Sequence, residues 1–287
     1  MVYPHTELVL DKEGNPYHIG FGPKDVAQKI ILVGDQDRVK LIGNQLDEIT
    51  FESQHREFCC ITGSYKGKRI SVLSTGIGTD NIDIVINELD AVFNIDLKTG
   101  KDKLSATKLD LVRIGTCGIL HPEIPVHSYI LSSHAYGLDN VAHFYEVDFD
   151  EKEISLEKNI SSHLNLPNKV EPYICGASPE LNSKLRSDIV HEGITVTSSG
   201  FYGPQGRQLR LKNKTSELND KLSSFIHEDH RITNFEMESS ALFSLGRALG
   251  HNCATICLGI ANRPNMEFSS GYQDEMEKLI SYVLDRV

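Results

Sequence analysis

Residues 198 to 207 read SSGFYGPQGR, and three side chains in that stretch could together grip a flat polar ring: Phe201, Gln205 and Arg207. A glutamine amide sets a donor beside an acceptor, and a guanidinium offers donors only. Side by side they complement a planar heterocycle whose carbonyls flank an imide N–H, the pattern along one edge of uracil. Phe201 adds a ring face for stacking. The glycines of the stretch (Gly200, Gly203, Gly206) also suit an ordinary polar surface loop, so composition alone leaves both readings open.

A second chemistry is anion binding. Gly34 follows the apolar run KIILV and is followed by Arg38; a turn of this kind can present backbone N–H groups to an anion, and the arginine adds a fork of donors. Arg113 stands near the end of LDLVRIG with Thr116 and the flexible Gly115 and Gly118 close by. A guanidinium there cannot be buried unpaired, so it either meets an Asp or Glu or serves as an anion ligand, and Thr116 favours the second. Arg56, in HREF, reads as a third anion ligand or as a charged turn between FESQ and FCCITG.

A third pattern is the pair Met237 and Glu238 in FEMES. A carboxylate accepts from sugar hydroxyls and a thioether covers an apolar sugar face. Glu236, two residues earlier, can point elsewhere, and both glutamates could instead favour the N-terminus of the helix that begins near Ser239.

These motifs do not stand alone. GDQDR (34–38), HREF (55–58), STGIG (74–78), RIGTCG (113–118), GFYGPQGR (200–207), FEMES (235–239) and NR (262–263) follow one another in the order and at the spacing of the uridine phosphorylase branch of the nucleoside phosphorylase family, which the chain resembles from about His18 to its C-terminal helix. The resemblance implies that Gly34, Arg38, Arg113, Thr116 and a neighbouring subunit's Arg56 bind inorganic phosphate, with Gln36 where the family usually has proline. It assigns Met237, Glu238 and, less directly, Glu236 to the ribose, and His18 of YHIG to the sugar's 5′ end across a subunit boundary. Phe201, Gln205 and Arg207 then hold the base, beside Cys117, Gly118, Ile260 and Ala261, with Arg263 anchoring the loop. Purine-specific relatives usually carry an aspartate in this last region; Ala261 and Asn262 point instead to a pyrimidine.

The expected reaction is reversible phosphorolysis of uridine, or of deoxyuridine or thymidine, to uracil and a ribose 1-phosphate in pyrimidine salvage, with Arg113, Glu238 and Arg207 as the catalytic set. Positive charge grows on the sugar and negative charge on the leaving base, and only interactions stronger in that transition state raise the rate. Arginine-held phosphate answers the first charge. Donors from Gln205 and Arg207 answer the second. Cytidine is expected to be a poor substrate, since its amino group would face those donors. The rivals are a purine phosphorylase or hydrolytic nucleosidase on the same fold, and a nucleoside-binding protein without catalysis. Neither an HExxH nor a paired CxxC pattern occurs, so no catalytic metal or organic cofactor is expected. Some relatives bind a monovalent cation through a glutamate beside the shared arginine; Glu57 matches, but Asn81 replaces a helpful serine, and potassium stays open.

Such a site must be carried by strands and helices in alternation. KIILV (29–33), ISVLST (70–75), LDLVRIG (109–115), SYILSS (128–133), ITVTSS (194–199) and CATICLGI (253–260) read as strands, and 81–93, 238–250 and 274–287 carry apolar residues at helical spacing. The fold class is α/β, one domain over 1–287 with a central mixed, mostly parallel sheet flanked by helices. Three motifs follow strands directly, at the carboxyl ends where ligands collect in such sheets. The lysine-rich stretch 96–108 reads as an exposed inserted loop without a chemical role.

Composition bounds the partners. A net charge of −11 over 287 residues disfavours nucleic acid and anionic membranes, yet a local arginine cluster still attracts a small anion, because charges beyond about 10 Å are screened. No apolar window approaches a membrane span, the N-terminus lacks a signal-peptide pattern, and six scattered cysteines fit a reducing compartment, so a cytoplasmic location is expected. Sites shared through His18 and Arg56 imply a homo-oligomer, a dimer or a trimer of dimers.

Overall fold

The computed structural model describes residues 2–215 and 217–287. The apolar run before Gly34 forms β1 (Lys29–Val33), buried along nearly its whole length, and Asp35 caps α1 (Gln36–Gly43) by accepting from the Asp37 N–H. An antiparallel meander follows: β2 (Glu48–His55), β3 (Phe58–Tyr65) and β4 (Lys68–Ser74). Next comes α2 (Thr79–Asn94), whose Ile82, Val85, Ile86, Leu89 and Val92 recur at helical spacing and are fully buried. Each contributes roughly 1.5–3 kcal/mol of transfer free energy, and a charge at Leu89 would break that face.

The lysine-rich insertion is more ordered than a bare loop. It forms the small hairpin β5 (Ile95–Asp96) and β6 (Lys101–Asp102), with Tyr3 N–H donating to the Gly100 carbonyl at 2.8 Å. Lys103 Nζ donates to the carbonyls of Phe93 (2.6 Å) and Val92 (3.3 Å), so the insertion caps the C-terminus of α2, where a cation complements the helix dipole. Its exposure agrees with the sequence reading; its structural work was not anticipated.

Two strands then cross the core, β7 (Asp110–Ile119) and β8 (Tyr129–Gly137), followed by α3 (Glu151–Leu164), β9 (Tyr173–Gly176), α4 (Pro179–Leu185) and β10 (Val190–Thr197). The last third holds α5 (Leu218–Ser224), β11 (Ile226–His227), β12 (His230–Glu236), α6 (Ser239–Ala248), β13 (Asn252–Asn262), β14 (Glu267–Phe268) and α7 (Gln273–Leu284).

The sheet is mixed, as expected. Two blocks are parallel, β4–β1–β7–β13 and β8–β10–β12. Antiparallel pairing joins β13 to β8 and returns β12 to the far end of β7, at Asn234 opposite Ile119 and Phe235 opposite Gly118. That last pairing closes β7–β13–β8–β10–β12 into a ring, a barrel-like closure that removes sheet edges at this point. It also brings FEMES, at the end of β12, against RIGTCG on β7.

Candidate active site

The carboxyl ends of β1, β7, β10, β12 and β13 open on one cleft of about 860 Å³, within the usual range for a small-molecule site. Its walls include Gly34, Arg38, Arg113, Thr116, Cys117, Gly118, Phe201, Gln205, Arg207, Glu236, Met237, Glu238, Ile260 and Ala261. Residues from opposite ends of the chain therefore meet as the sequence reading required. Gly34 fits because a Cβ there would lie 3.3 Å from the Gly76 carbonyl oxygen.

The arginines differ sharply in their partners. Arg113 is buried, donates through Nη2 to Glu238, and holds Nη1 3.5 Å from Glu236 Oε2. Burial works against its charge, but Glu238 and Glu236 together raise its pKa above the ordinary arginine value. The carboxylate-paired alternative for Arg113 is thus what the structure holds, although the residue still forms part of the cleft wall. Arg38 is served less well: its guanidinium makes one long bond, 3.4 Å to the Ile114 carbonyl, among the described residues. Burial and the neighbouring Arg113 both lower its pKa. Both guanidiniums line the cleft, Arg113 already paired with Glu236 and Glu238 and Arg38 hydrogen-bonded only to a carbonyl among the described residues.

The two glutamates have divided their work. Glu236 accepts from Thr197 Oγ1 at 2.5 Å and from the backbone N–H groups of Glu238 and Ser239 at 3.0 Å. It therefore satisfies the orphan donors at the start of α6. Glu238 sits at the N-cap position but makes no cap bond; its carboxylate accepts from the Gly78 N–H at 2.9 Å and from Arg113. Gly78 can approach because φ is +101°, a region closed to most side chains. Burial raises the Glu238 pKa, Arg113 opposes that, and Glu236 adds to it. Both glutamates line the cleft with Met237 between them; Glu236 carries the larger set of protein donors, while Glu238 is held by the Gly78 N–H and Arg113.

Phe201, Gln205 and Arg207 lie together but not in the posture expected for base binding. The Arg207 guanidinium carbon stands 3.8 Å from the centroid of the Phe201 ring, a cation–π stack. Nη1 donates to the Phe201 carbonyl at 2.8 Å and to Gln205 Oε1. One face of Phe201 is thus covered by arginine rather than free for a base. Burial, with Arg263 nearby, pushes the Arg207 pKa down to about 10. On the opposite wall the β7–β13 register shifts between Gly259 and Ala261, and this bulge turns both Ile260 and Ala261 to the cleft. Cys117 lies behind them, its thiol pushed well up by burial, which makes it an inert wall rather than a nucleophile.

His18 and Arg56 are not part of this wall. His18 Nδ1 lies 2.5 Å from Glu88 Oε1, and Arg56 donates to the Tyr17 hydroxyl at 3.3 Å, its guanidinium 5.5 Å from that ring's centroid. His55 bonds the His18 carbonyl at 2.9 Å. The two residues thus share a patch apart from their own cleft.

The Phosphorylase superfamily profile matches residues 28–285. The chain belongs to that superfamily. It is 31% identical over 278 residues to a uridine phosphorylase of Thermococcus kodakarensis, covering 95% of this chain and 84% of the relative. A DeoD-type purine nucleoside phosphorylase of Bacillus cytotoxicus is 25% identical, with 83% of each covered. Among solved structures, a Trypanosoma brucei nucleoside phosphorylase with uridine phosphorylase activity superposes with a TM-score of 0.89 at 28% identity, over 97% of this chain and 98% of that one. The phosphorylase is accordingly a pentosyltransferase with an α/β fold. No helix among the described residues is long and apolar enough to cross a membrane.

Several residues of the phosphorylase's cleft were not assigned to substrate from sequence: Ile77, Asn81, Phe235 and Phe268. Phe268 arrives through the pairing of β14 with Ala261, a hairpin too short to leave a periodic signal. Glu57 and Asn81, the suggested cation neighbourhood, also line the cleft. No group of three or more potential His, Cys, Asp or Glu metal ligands occurs among the described residues.

Proposed function

We propose that the chain catalyses phosphorolysis of uridine, and of related pyrimidine nucleosides, to the free base and a pentose 1-phosphate in pyrimidine salvage. The observation that carries the reading is the meeting of Arg38 and Arg113 with Gln205, Arg207 and Glu238 in one cleft. Phosphate binds Arg38, with Arg113, Thr116 and the Gly34 turn beside it. Glu238 accepts from the ribose hydroxyls, held in place by Gly78 and Arg113. The base enters against Phe201, and Arg207 leaves the ring face to meet a carbonyl of the base, freeing Gln205 Oε1 for the imide N–H. As the glycosidic bond breaks, the donors of Arg207 and Gln205 stabilise the anionic base, at ~3–4 kcal/mol per well-placed donor.

The purine alternative has named relatives and is weighed on one residue. Asn262 is buried, donates to the carbonyls of His121 (2.9 Å) and Ile124 (2.8 Å), and accepts from the Asn265 N–H. An amide so engaged offers no acid to a purine ring, and its neighbour Ala261 offers none either. The patch of His18 and Arg56 supports a homo-oligomer in which each subunit completes its partner's cleft. The reaction needs no organic cofactor; assays with and without potassium test the Glu57 neighbourhood. The deciding measurement is a substrate panel in phosphate-containing and phosphate-free buffer. Uridine is expected to be cleaved only with phosphate. Equal uracil release without phosphate would establish hydrolysis, and faster turnover of inosine would overturn the base assignment.

A further inference from the structure

The turn that carries Gln205 is held from behind. Gly203–Gln205 forms a single short 3-10 turn, so the position of its backbone depends on neighbours. Arg263, just past β13, donates Nη1 to the Gln205 carbonyl at 3.2 Å. Asn219 on α5, its carboxamide turned to suit both neighbours, donates to the same carbonyl at 3.3 Å and accepts from Arg263 Nη2 at 3.0 Å. The next residue, Gly206, has φ +69°, and a Cβ there would sit 2.8 Å from the nearest carboxamide atom of Asn219. Glycine is therefore required for Asn219 to come this close.

We propose that Asn219 is a positioning residue for base selection: acting through Arg263 and the Gln205 carbonyl, it sets where Gln205 and Arg207 meet the base. Asn219 is not part of the cleft wall and touches no substrate. The proposal rests on the reading of Gln205 and Arg207 as the base-binding pair. Arg263 alone is an imperfect anchor, because a long flexible side chain keeps its geometry only when its other donors are fixed. Asn219 supplies that second fixed point. Burial lowers the Arg263 pKa, which fits a guanidinium that is partly desolvated and therefore dependent on its acceptors. Because the backbone N–H groups of Gln205 and Arg207 both donate to the Tyr202 carbonyl, at 3.1 and 2.8 Å, the two residues share one turn, and a shift of the Gln205 carbonyl moves both base contacts at once.

The test compares Asn219→Ala, Asn219→Asp, Arg263→Ala and the double variant Asn219→Ala/Arg263→Ala. Asn219→Ala is expected to raise KM for uridine about tenfold, the effect of losing about one hydrogen bond, with KM for phosphate and Tm unchanged. Asn219→Asp keeps an acceptor for Arg263 and should recover part of that loss. The double variant should fall little beyond Arg263→Ala, since both act on one carbonyl. A second readout needs no substrate: trypsin should cut the segment holding Arg207, Arg210, Lys212 and Lys214 several-fold faster in unliganded Asn219→Ala, as expected for a released loop. Wild-type uridine KM together with wild-type tryptic rates overturns the proposal. Equal losses toward uridine and phosphate with a lowered Tm also overturn it, by assigning a purely structural role. If the unaltered protein leaves uridine intact, the substrate reading fails, and the tryptic comparison still decides whether Asn219 holds the turn.

Discussion

The strongest quantitative consequence of the site concerns Glu236, whose carboxylate ties together β10, β12, α6 and Arg113. Replacing it by glutamine keeps the shape and removes the charge. At 3.5 Å the attraction to Arg113 is ~5 kcal/mol for an effective dielectric constant near 20, but the desolvation of two buried charges and the neighbouring Glu238 carboxylate oppose it. Hydrogen bonding therefore decides the outcome. The oxygen of the substituted amide can keep the Glu238 and Ser239 N–H groups, but its NH2 then faces Thr197 Oγ1, which already accepts from the Ser240 N–H at 3.0 Å. One or two charge-assisted bonds are weakened, at ~1.5–3 kcal/mol each. Glu236→Gln should thus lose ~3 kcal/mol of stability, a fall in Tm of about 6–12 °C for a chain of this size. Differential scanning calorimetry reads that fall, and steady-state kinetics below the transition should show a loss in kcat smaller than that of Glu238→Gln. A Tm within about 2 °C of the unaltered protein, well inside the shift expected for ~1 kcal/mol, would refute the assignment of Glu236 as the brace of this corner.

Three further outcomes follow from the same geometry. Arg38→Ala removes a cleft guanidinium held by one long bond among the described residues, so KM for phosphate should rise ten- to hundredfold, with Tm constant or higher; an unchanged phosphate KM would remove Arg38 from the anion site. Arg207→Ala should lower kcat/KM for uridine by about 10²–10³-fold, and wild-type rates would end its base-reading role. His134 is half-buried against His230, and burial, then His230, lowers its pKa, with Glu153 and Asp150 opposing and Arg247 adding to the fall. The folded state therefore resists a proton that the unfolded chain accepts near the ordinary histidine value of 6.5, so stability is complete above that pH and is lost as pH falls through the lower folded value. Thermal melts from about pH 7.5 to 5 should show this slope, and His134→Gln should flatten it.

The chemistry was legible where residue type and strand end coincide. KIILV is a continuous apolar run stopped by glycine, and β1 has the bounds its composition implied. RIGTCG was harder, because β7 continues through Thr116, Cys117 and Gly118, small and polar residues without periodic signal that stay extended only because β13 and then β12 pair with them. Glu236 and Glu238 divide their work for a reason the sequence does not display: β12 ends at Glu236, and the turn into α6 brings both carboxylates to Arg113 while Glu236 alone takes the N–H groups at the start of the helix. Asn219 was invisible in sequence, since its role comes from α5 passing behind a turn that ends fourteen residues earlier, at Gln205.

His18 and Arg56 carry the argument from one chain to its assembly. Each alone is a weak sequence signal, yet Tyr17 contacts both: its hydroxyl accepts from Arg56 at 3.3 Å and its ring lies 5.1 Å from that of His18. Arg56 also has φ +54°, an uncommon backbone state for a non-glycine residue that persists only where surroundings favour it, and its carbonyl accepts from Gln36 at 2.7 Å. Gln36 itself lines the cleft. The patch is thus braced directly by the turn proposed to bind phosphate, so under the proposed function phosphate should tighten self-association of the chain, and self-association should tighten phosphate binding, as linked equilibria require; sedimentation with and without phosphate reads this, and identical sedimentation refutes it.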